Sequence, residues 1–240
     1  MCFSVNVNLI KEEIEQRYGL NFPDKYRYEP SYYYHAFSLP ELAAVCTGYP
    51  TVRFLKWGLI PPWIKSEQDA NEIRTLTFNA RSESIASKPS FSSSFKSKRC
   101  LIPVRGFYEW QHAGKEKIPW YIYSASGEIL TLAGLYSEWK NKEKGEILNT
   151  FTIITTEANE MMAEIHNSKK RMPAILLKDD EKKWIDLTTS PEIASQILKP
   201  CPENILKAHT IGPLVNNRYA DRNTPDVIKE FKRDIKNTLF

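Results

Sequence analysis

The chain has 240 residues, of which 42% are hydrophobic and 26% are charged, and its formal net charge is +4. This composition is typical of a globular protein with a sizeable core, and the small net charge permits an anionic partner without requiring one. No apolar run approaches the roughly 18 residues of a membrane span, and the first residues lack the basic and apolar stretches of a signal peptide. We therefore expect a cytoplasmic protein, near the nucleoid in a bacterium, without membrane contact.

The four cysteines are far apart and form no CxxC or mixed Cys/His pattern; they are Cys2, Cys46, Cys100 and Cys201. We therefore expect reduced thiols, with neither a disulfide framework nor a zinc site. The nine glycines do not cluster as in a dinucleotide-binding or phosphate-binding loop. From these patterns we predict no metal and no cofactor.

The first half of the chain predicts one helix followed by short strands. The segment "NLIKEEIEQRYG" is typical of an amphipathic helix capped by Asn8 and ended by Gly19. Aromatic and β-branched residues then predict strands at "YYYHAFSL", "TVRFLKWGLI" and "WYIYS". The serines and lysines of "KPSFSSSFKSK" predict a flexible, solvated loop.

The second half adds strands and then helices. Strands are predicted at "ILTLAGLYSEW", "TFTIITT" and "RMPAILL". Helices are predicted at "TTEANEMMAEIH" behind a Thr156 cap, at "SPEIASQILKP" with Ser190 as cap and Pro191 in the first turn, and at "TPDVIKEFKRDIKNTL" from Thr224. Strands and helices are mixed rather than alternating, which favours an α+β fold. No linker or repeat interrupts the chain, so we predict a single domain over residues 1–240.

Cys2 directly follows the initiator methionine. Removal of that methionine would leave a thiol and an α-amine on one residue, and such a 1,2-aminothiol condenses with an aldehyde to a five-membered thiazolidine. Both groups have reference pKa values of roughly 8 to 8.5, so each is partly reactive near neutral pH. Alternatively, Cys2 only begins the alternating strand "CFSVNVN" as a small buried residue, and position alone favours this second interpretation.

Two further motifs combine polar groups in ways that suit a reaction site. In "TFNARSES" the residues Asn79, Arg81 and Glu83 alternate, so an extended segment would present all three on one face. A solvated strand edge is the commoner case, whereas in a site Arg81 would grip a phosphate and Asn79 would orient a nucleophile. In "RCLIPVRGFYEW" the flanking aromatic residues would raise the pKa of Glu109, unless strand alternation turns it outward as an ordinary surface acid.

Two other motifs pair aromatic or imidazole rings with cations. In "EIHNSKKRMP", His166 ends a predicted helix just before a basic cluster, which is consistent with a helix-dipole partner or with a proton shuttle beside an anionic substrate. In "KWGLIPPWIK", Trp57 and Trp63 bracket two prolines beside lysines. Such tryptophans are a stacking surface for unpaired bases, although buried tryptophans are commoner and at least one is expected in the core.

Taken together and in this order, "WGLIPPW", "NARSES", "RCLIPVRGFYEW", "IHNSKKRMP" and the Met-Cys start resemble the SOS response-associated peptidase (SRAP) family, which shields abasic sites in single-stranded DNA. The resemblance covers most of the chain. It implies a mixed, largely antiparallel, barrel-like β-sheet core flanked by helices. It also implies that the partner is single-stranded DNA with an abasic site, including junctions with duplex. Nothing in the sequence requires more than a monomer.

The resemblance further implies a chemical role for each motif. Cys2 would form a thiazolidine crosslink with the ring-opened abasic sugar, with an associated peptidase or lyase activity. Asn79 would position Cys2 and the sugar, Glu109 would handle protons at the amine, and His166 would act as acid and base. The residues expected to contact DNA are Arg81, Trp57, Trp63, Arg99 and Arg171.

One position departs from the family pattern, and two rival functions stay open. Family members commonly begin Met-Cys-Gly-Arg, whereas Phe3 and Ser4 follow Cys2 here, so the phosphate contact of that arginine is in doubt. One rival is an N-terminal-nucleophile amidohydrolase, which also starts at a processed cysteine. The other is a single-strand binding module in which Cys2 has no chemical role.

Overall fold

The computed structural model describes residues 2–24 and 26–232. The strands in these ranges are β1 (Ser4–Val7), β2 (Ser31–His35), β3 (Glu41–Cys46), β4 (Arg53–Trp57), β5 (Asn79–Arg81), β6 (Arg99–Val104), β7 (Gly106–Ala113), β8 (Glu116–Ser124), β9 (Leu130–Lys140), β10 (Ile147–Glu157), β11 (Arg171–Pro173), β12 (Ile175–Leu176) and β13 (Leu206–Thr210). The α-helices are α1 (Lys11–Tyr18), α2 (Glu67–Leu76), α3 (Pro89–Ser97), α4 (Glu160–Ile165), α5 (Lys178–Ile185) and α6 (Pro191–Ile197).

Five strands close into a barrel in the order β9, β10, β4, β3, β6 and back to β9. Every pairing in this ring is antiparallel except the parallel pair of β10 with β4. The ring leaves no free edge, and its interior is filled by buried side chains such as Trp57, Phe151 and Ile153. The predicted α+β class with a largely antiparallel, barrel-like core is confirmed.

A second sheet has the order β13, β8, β7, β1, β2, and all its pairings are antiparallel. Gly106 stands at the start of β7, where it pairs with both β1 and β8. An added Cβ at this position would lie 2.5 Å from the Ile122 carbonyl oxygen and 2.6 Å from the Tyr121 hydroxyl. The sheet therefore requires glycine in the "RGFYEW" motif, and this close packing fixes the path of the β7 backbone between its neighbours.

The local rules for helix ends were right at some positions and wrong at others. Gly19 ends α1 in the left-handed conformation and Ser190 caps α6, as predicted. Asn8 does not cap α1, because Ile10 is the N-cap residue and Glu13 accepts a hydrogen bond from its N–H. Thr156 does not cap α4, since β10 continues to Glu157 by pairing with β11.

The end of the chain is less helical than predicted. The segment from Thr224 forms a short 3-10 turn at Pro225–Ile228, and the continuation of this predicted helix over residues 233–240 lies outside the described residues. None of the described helices is long and apolar enough to cross a membrane.

The prediction of a flexible loop over "KPSFSSSFKSK" is wrong. The segment forms α3, with Pro89 in its first turn. Phe91 and Phe95 are four residues apart, lie on one face and are both buried in the core. Burial of these two rings outweighs the low helix propensity of the serines.

The predicted DNA contacts of Trp57 and Arg99 are corrected by the structure. Trp57 is fully buried, and its Nε1 donates to the Phe78 carbonyl at 2.9 Å. Arg99 is also fully buried. Its guanidinium donates to five backbone carbonyls at 2.5 to 3.3 Å, those of Phe95, Lys96, Trp184, Asp186 and Thr189. Both side chains are therefore parts of the core, without a surface to offer a ligand.

Replacement of Arg99 tests this structural role. Arg99→Met should lower the free energy of unfolding by about 3 kcal/mol or more, because several buried carbonyls lose their donor. The measurement is urea unfolding. Lys98→Met is the matched control, since Lys98 makes a partly exposed ion pair with Glu138 and a 5.8 Å contact with the Tyr136 ring, and this substitution should cost less than about 1 kcal/mol. Equal losses of unfolding free energy in the two variants would contradict the structural role of Arg99.

Candidate active site

Cys2 and Glu109 lie on neighbouring strands of the second sheet. Antiparallel pairing of β1 with β7 sets Val5 opposite Phe107 and Asn6 opposite Gly106. Continuing this register places Phe3 opposite Glu109, one residue from Cys2. Two motifs that are about a hundred residues apart in the sequence therefore meet because of one strand pairing.

The Cys2 thiol is held in a buried environment. The side chain is fully buried, and Sγ lies 3.7 Å from the Ser4 carbonyl oxygen. Burial raises the pKa of the Cys2 thiol well above its usual value, and the nearby Glu109 carboxylate raises it further. The thiol is therefore protonated at neutral pH, and it needs a base when it reacts. The predicted removal of Met1 concerns a residue outside the described ranges.

Glu109 and His166 lie close together in the candidate site. Glu109 Oε2 and His166 Nε2 are 4.0 Å apart, and both side chains are less than 10% exposed. Burial raises the pKa of Glu109 to about 7, because desolvation disfavours the charged carboxylate. The carboxyl group is therefore divided between its neutral and ionised forms near neutral pH.

The His166 ring has a defined orientation. Its Nδ1 lies 2.8 Å from the Arg171 carbonyl oxygen and 3.2 Å from the Arg171 main-chain nitrogen. The main chain of Arg171 therefore fixes the ring, with Nε2 on the side of Glu109. Burial lowers the pKa of His166 to about 4. The usual order of the two pKa values is therefore inverted. At neutral pH the carboxyl group of Glu109 is the proton donor and the imidazole of His166 is the acceptor.

Helix α4 places His166 against β7. Asn159 caps the helix by accepting from the Met162 N–H at 3.0 Å, and Met162 and Ile165 bury its apolar face. Just after His166, Asn167 exchanges two hydrogen bonds with the main chain of His112 on β7, at 2.8 and 3.0 Å. The sequence motif "IHN" contains this asparagine, but its anchoring role needs the long-range pairing of α4 with β7.

Asn79 approaches the site from the barrel. The parallel pairing of β5 with β10 sets Asn79 opposite Ile153, and the rings of Phe78 and Phe3 pack edge to face with centroids 6.3 Å apart. The residue that precedes Asn79 is therefore in contact with the residue that follows Cys2. Both polar atoms of the Asn79 amide are buried and have no hydrogen-bond partner among the described residues.

Leaving a polar group buried and unpaired costs about 1–3 kcal/mol. Asn79 has two such atoms, so this amide is expected to take a hydrogen-bond partner from outside the protein. An amide both donates and accepts, and a ligand with a hydroxyl or carbonyl oxygen would remove the cost. The feature is typical of a preorganised binding group.

Of the charged residues after Asn79, Arg81 is an exposed cation and Glu83 belongs to an ion pair. Arg81 ends β5 and is exposed. Glu83 lies beyond the strand, where its carboxylate receives two hydrogen bonds from the Arg171 guanidinium at 2.5 and 3.1 Å. Arg171 Nη2 also donates to the Thr155 carbonyl at 2.7 Å. The predicted row of three residues on one strand face therefore holds for Asn79 and Arg81 but not for Glu83.

The Glu83–Arg171 pair also supports the imidazole. Arg171 is only 9% exposed, and its main chain is the hydrogen-bond partner of His166 Nδ1. Its guanidinium is occupied by Glu83 and Thr155, so the predicted contact of Arg171 with DNA would require that arrangement to open. Sequence analysis predicted that Arg171 contacts DNA and did not predict that Arg171 supports the His166 ring. The reason is that the partners of Arg171 come from separate strands and turns.

The remaining predicted residue, Trp63, lies on the surface. Its side chain is 55% exposed, so it retains the surface expected of a stacking platform. Within residues 2–24 and 26–232, no group of three or more His, Cys, Asp or Glu side chains is arranged to hold a metal ion.

Sequence comparison finds a family match and related proteins. A family model of the SOS response associated peptidase (SRAP) matches residues 1–218. The abasic site processing protein YoaM of Bacillus subtilis is 38% identical over 222 residues, which cover 90% of this chain and 93% of that protein. YoqW of the same organism, also named an abasic site processing protein, is 41% identical over 177 residues, covering 73% of this chain and 75% of that protein.

More distant relatives and solved structures agree with these matches. The abasic site processing protein HMCES of Xenopus tropicalis is 36% identical over 192 residues, covering 72% of this chain and 55% of that protein. A crystal structure of a protein from Bacteroides thetaiotaomicron superposes with a TM-score of 0.91 at 35% identity. It covers 96% of this chain and all of that one.

The raised pKa of Glu109 makes stability depend on pH. The neutral carboxyl is favoured in the folded protein, so its stabilising effect is present below the ordinary pKa and is lost as pH rises through about 7. Glu109→Gln cannot ionise. Its free energy of unfolding should therefore rise relative to the original protein between pH 4.5 and pH 8, by on the order of 3 kcal/mol.

Urea unfolding of both proteins at several pH values measures this difference. His166, whose lowered pKa has the opposite effect, is present in both proteins, so its contribution largely cancels in the comparison. The exposed Glu157→Gln serves as control and should show no such trend. A pH-independent difference between Glu109→Gln and the original protein would contradict the buried, raised-pKa carboxyl.

Proposed function

The chain belongs to the SOS response associated peptidase family, and we propose that it processes abasic sites in single-stranded DNA through a covalent bond to Cys2. The relatives YoaM, YoqW and HMCES are named abasic site processing proteins. The proposal is carried by one observation in this chain. A buried thiol, a carboxyl with a raised pKa and an imidazole with a lowered pKa converge on the start of the chain.

The proposed reaction has two steps after removal of Met1. The α-amine of Cys2 adds to the aldehyde carbon of the ring-opened abasic sugar, and loss of water gives an imine. The thiol sulfur then adds to the imine carbon, the imine nitrogen takes up a proton, and a thiazolidine ring closes. The net change is the loss of one water, with no oxidation or reduction.

The acid–base pair serves both steps. Elimination of water needs a proton on the departing hydroxyl, and neutral Glu109 is a donor of suitable pKa near pH 7. Sulfur attack needs removal of the thiol proton, because burial keeps the Cys2 thiol protonated. His166, which is neutral near pH 7 because its pKa is lowered, or the ionised Glu109 accepts that proton. His166 also supplies a base for opening the sugar ring and for the reverse reaction.

Binding of the strand uses other groups. The unpaired amide of Asn79 hydrogen-bonds the sugar hydroxyl or the developing carbinolamine oxygen. Exposed Arg81 contacts a phosphate beside the lesion, and exposed Trp63 stacks on a base. We propose that the protein works as a monomer on single strands and on junctions with duplex, inside the cell.

The first test is intact-protein mass spectrometry with a single strand that carries one abasic site. The protein should lose Met1 and gain a stable adduct, and Cys2→Ala should abolish the adduct. Cys201→Ala, which removes another buried thiol, should leave adduct formation unchanged.

The other outcomes separate the rival functions. A trimmed protein that forms no adduct but hydrolyses glutamine would favour the amidohydrolase. Binding of abasic and intact strands without any adduct would favour a simple single-strand binding module. Retention of Met1 in the active protein would exclude the aminothiol mechanism.

A second test concerns Arg81. Arg81→Ala should weaken binding of a single strand and reduce the slope of log affinity against log salt by about 1, because one phosphate contact is lost. Fluorescence anisotropy at several salt concentrations measures both quantities. The exposed Arg27, whose side chain pairs with Glu29, is the control position for an Ala substitution. An unchanged salt slope in Arg81→Ala would mean that Arg81 does not contact phosphate.

A further inference from the structure

Phe37 is a large apolar side chain left on the surface beside the site. It is 59% exposed and lies on a single 3-10 turn, Ala36–Ser38, that directly follows β2. Single exposed apolar residues are common on proteins and by themselves indicate nothing. The surroundings of Phe37 are what distinguish it.

The turn that presents Phe37 is tightly fixed. The Ala36 N–H donates to the Phe3 carbonyl at 2.8 Å, so the turn is bound to the main chain one residue from Cys2. The Phe37 N–H donates to His35 Nδ1 at 3.3 Å. Leu39, which ends the turn, has φ 51° and ψ 46°, a left-handed conformation that a branched residue adopts only under constraint. The ring of Phe37 is therefore held by a strained, hydrogen-bonded turn.

Two other rings support Phe37 from behind. The centroid of Phe37 lies 4.9 Å from that of Phe78, edge to face, and 5.7 Å from that of Phe3. We call Phe3, Phe37 and Phe78 the phenylalanine cluster. Phe78 is buried and Phe3 is half-buried, so Phe37 is the most exposed ring of the cluster.

The cluster is continuous with the site at both ends. Phe3 directly follows Cys2, and Phe78 directly precedes Asn79. A strand whose abasic sugar lies between Cys2 and Asn79 therefore brings its next nucleotide to the cluster. The exposed cation Arg81, two residues after Asn79, suits the phosphates of such a strand.

We propose that the exposed face of Phe37 stacks on the nucleobase adjacent to the abasic sugar. This inference rests on the proposed function and names the part of the substrate that the cluster recognises. The abasic sugar has no base to hold, so a neighbouring base is the nearest apolar surface by which the strand can be fixed. Stacking on an aromatic ring accepts any base, which suits a lesion that occurs in any sequence.

His35 extends the same surface. Its ring stacks on Phe37 with centroids 5.4 Å apart and an interplanar angle of 26°. Burial lowers the pKa of His35, and nearby Arg222 lowers it further, so the ring is neutral at physiological pH. A neutral imidazole presents a flat face like that of Phe37. The His35 ring therefore lies against the Phe37 ring as part of the same aromatic surface.

The test is a cycle of protein and DNA changes that needs no covalent step. The probes are single strands with a central tetrahydrofuran, a stable abasic analogue that cannot open to an aldehyde. In one strand both neighbouring bases are present, and in two others the 5′ or the 3′ neighbour is replaced by a second tetrahydrofuran. Anisotropy gives the affinity of the original protein, Phe37→Ala, Phe37→Tyr and Tyr219→Ala, where exposed Tyr219 is the control aromatic residue.

We expect Phe37→Ala to bind the first strand about tenfold more weakly, in line with the loss of one stacking contact. The same substitution should have little effect on the strand that lacks the stacked neighbour, which also identifies the side of the lesion. Phe37→Tyr should retain the affinity because it keeps a ring. Tyr219→Ala should bind all three strands like the original protein.

Equal losses for Phe37→Ala on all three strands would overturn the inference, since a folding or general surface effect does not depend on the neighbouring base. An affinity of Phe37→Ala equal to that of the original protein on the first strand would overturn it as well. The proposed covalent function is tested separately with a natural abasic site. Absence of an adduct there, together with a base-dependent effect of Phe37, would reject the crosslink and retain the stacking platform.

Discussion

The backbone pairing of β10 is the constraint on which the site depends. Its first half closes the barrel by pairing with β9 and β4, and its second half pairs with β5 and β11. Strand β5 carries Asn79 and Arg81, whereas β11 begins with Arg171, whose main chain fixes the His166 ring. One continuous ladder therefore sets the positions of an amide, a cation and an imidazole. The second sheet has only to bring Cys2 and Glu109 against this frame.

The chemistry of the site follows from burial more than from charge pairing. Glu109 and His166 are ordinary residue types, and in water the carboxyl would be the stronger acid by about two pKa units. Removal of both from solvent inverts that order, because each group loses hydration of its charged form. The protein thereby carries, in its folded state, a destabilising arrangement of the kind that is concentrated at reaction sites.

Rules based on neighbouring residues predicted local features of the chain correctly. They failed where burial against distant segments determines the structure. The Ser190 cap and the α+β class were predicted correctly from such rules, whereas the barrel-like core was predicted only through the family resemblance. Helix α3 was missed because its serines resemble a loop, and only the packing of its two phenylalanines makes it a helix. The motifs contained Cys2, Glu109 and His166, but the orientation of the imidazole, the inverted pKa order and the structural role of Arg99 depend on contacts between distant segments.

The buried pair of Glu109 and His166 and the exposed cations of this molecule respond differently to salt. A proton that moves between a carboxyl and a neutral imidazole stays within a buried pocket, where mobile ions do not reach. Arg81, which is proposed to face a strand, is exposed, so salt screens its charge. Under the proposed function, ionic strength would therefore change how often a strand arrives and how long it stays, whereas the rate of bond formation in the occupied site would be insulated from the surrounding electrolyte.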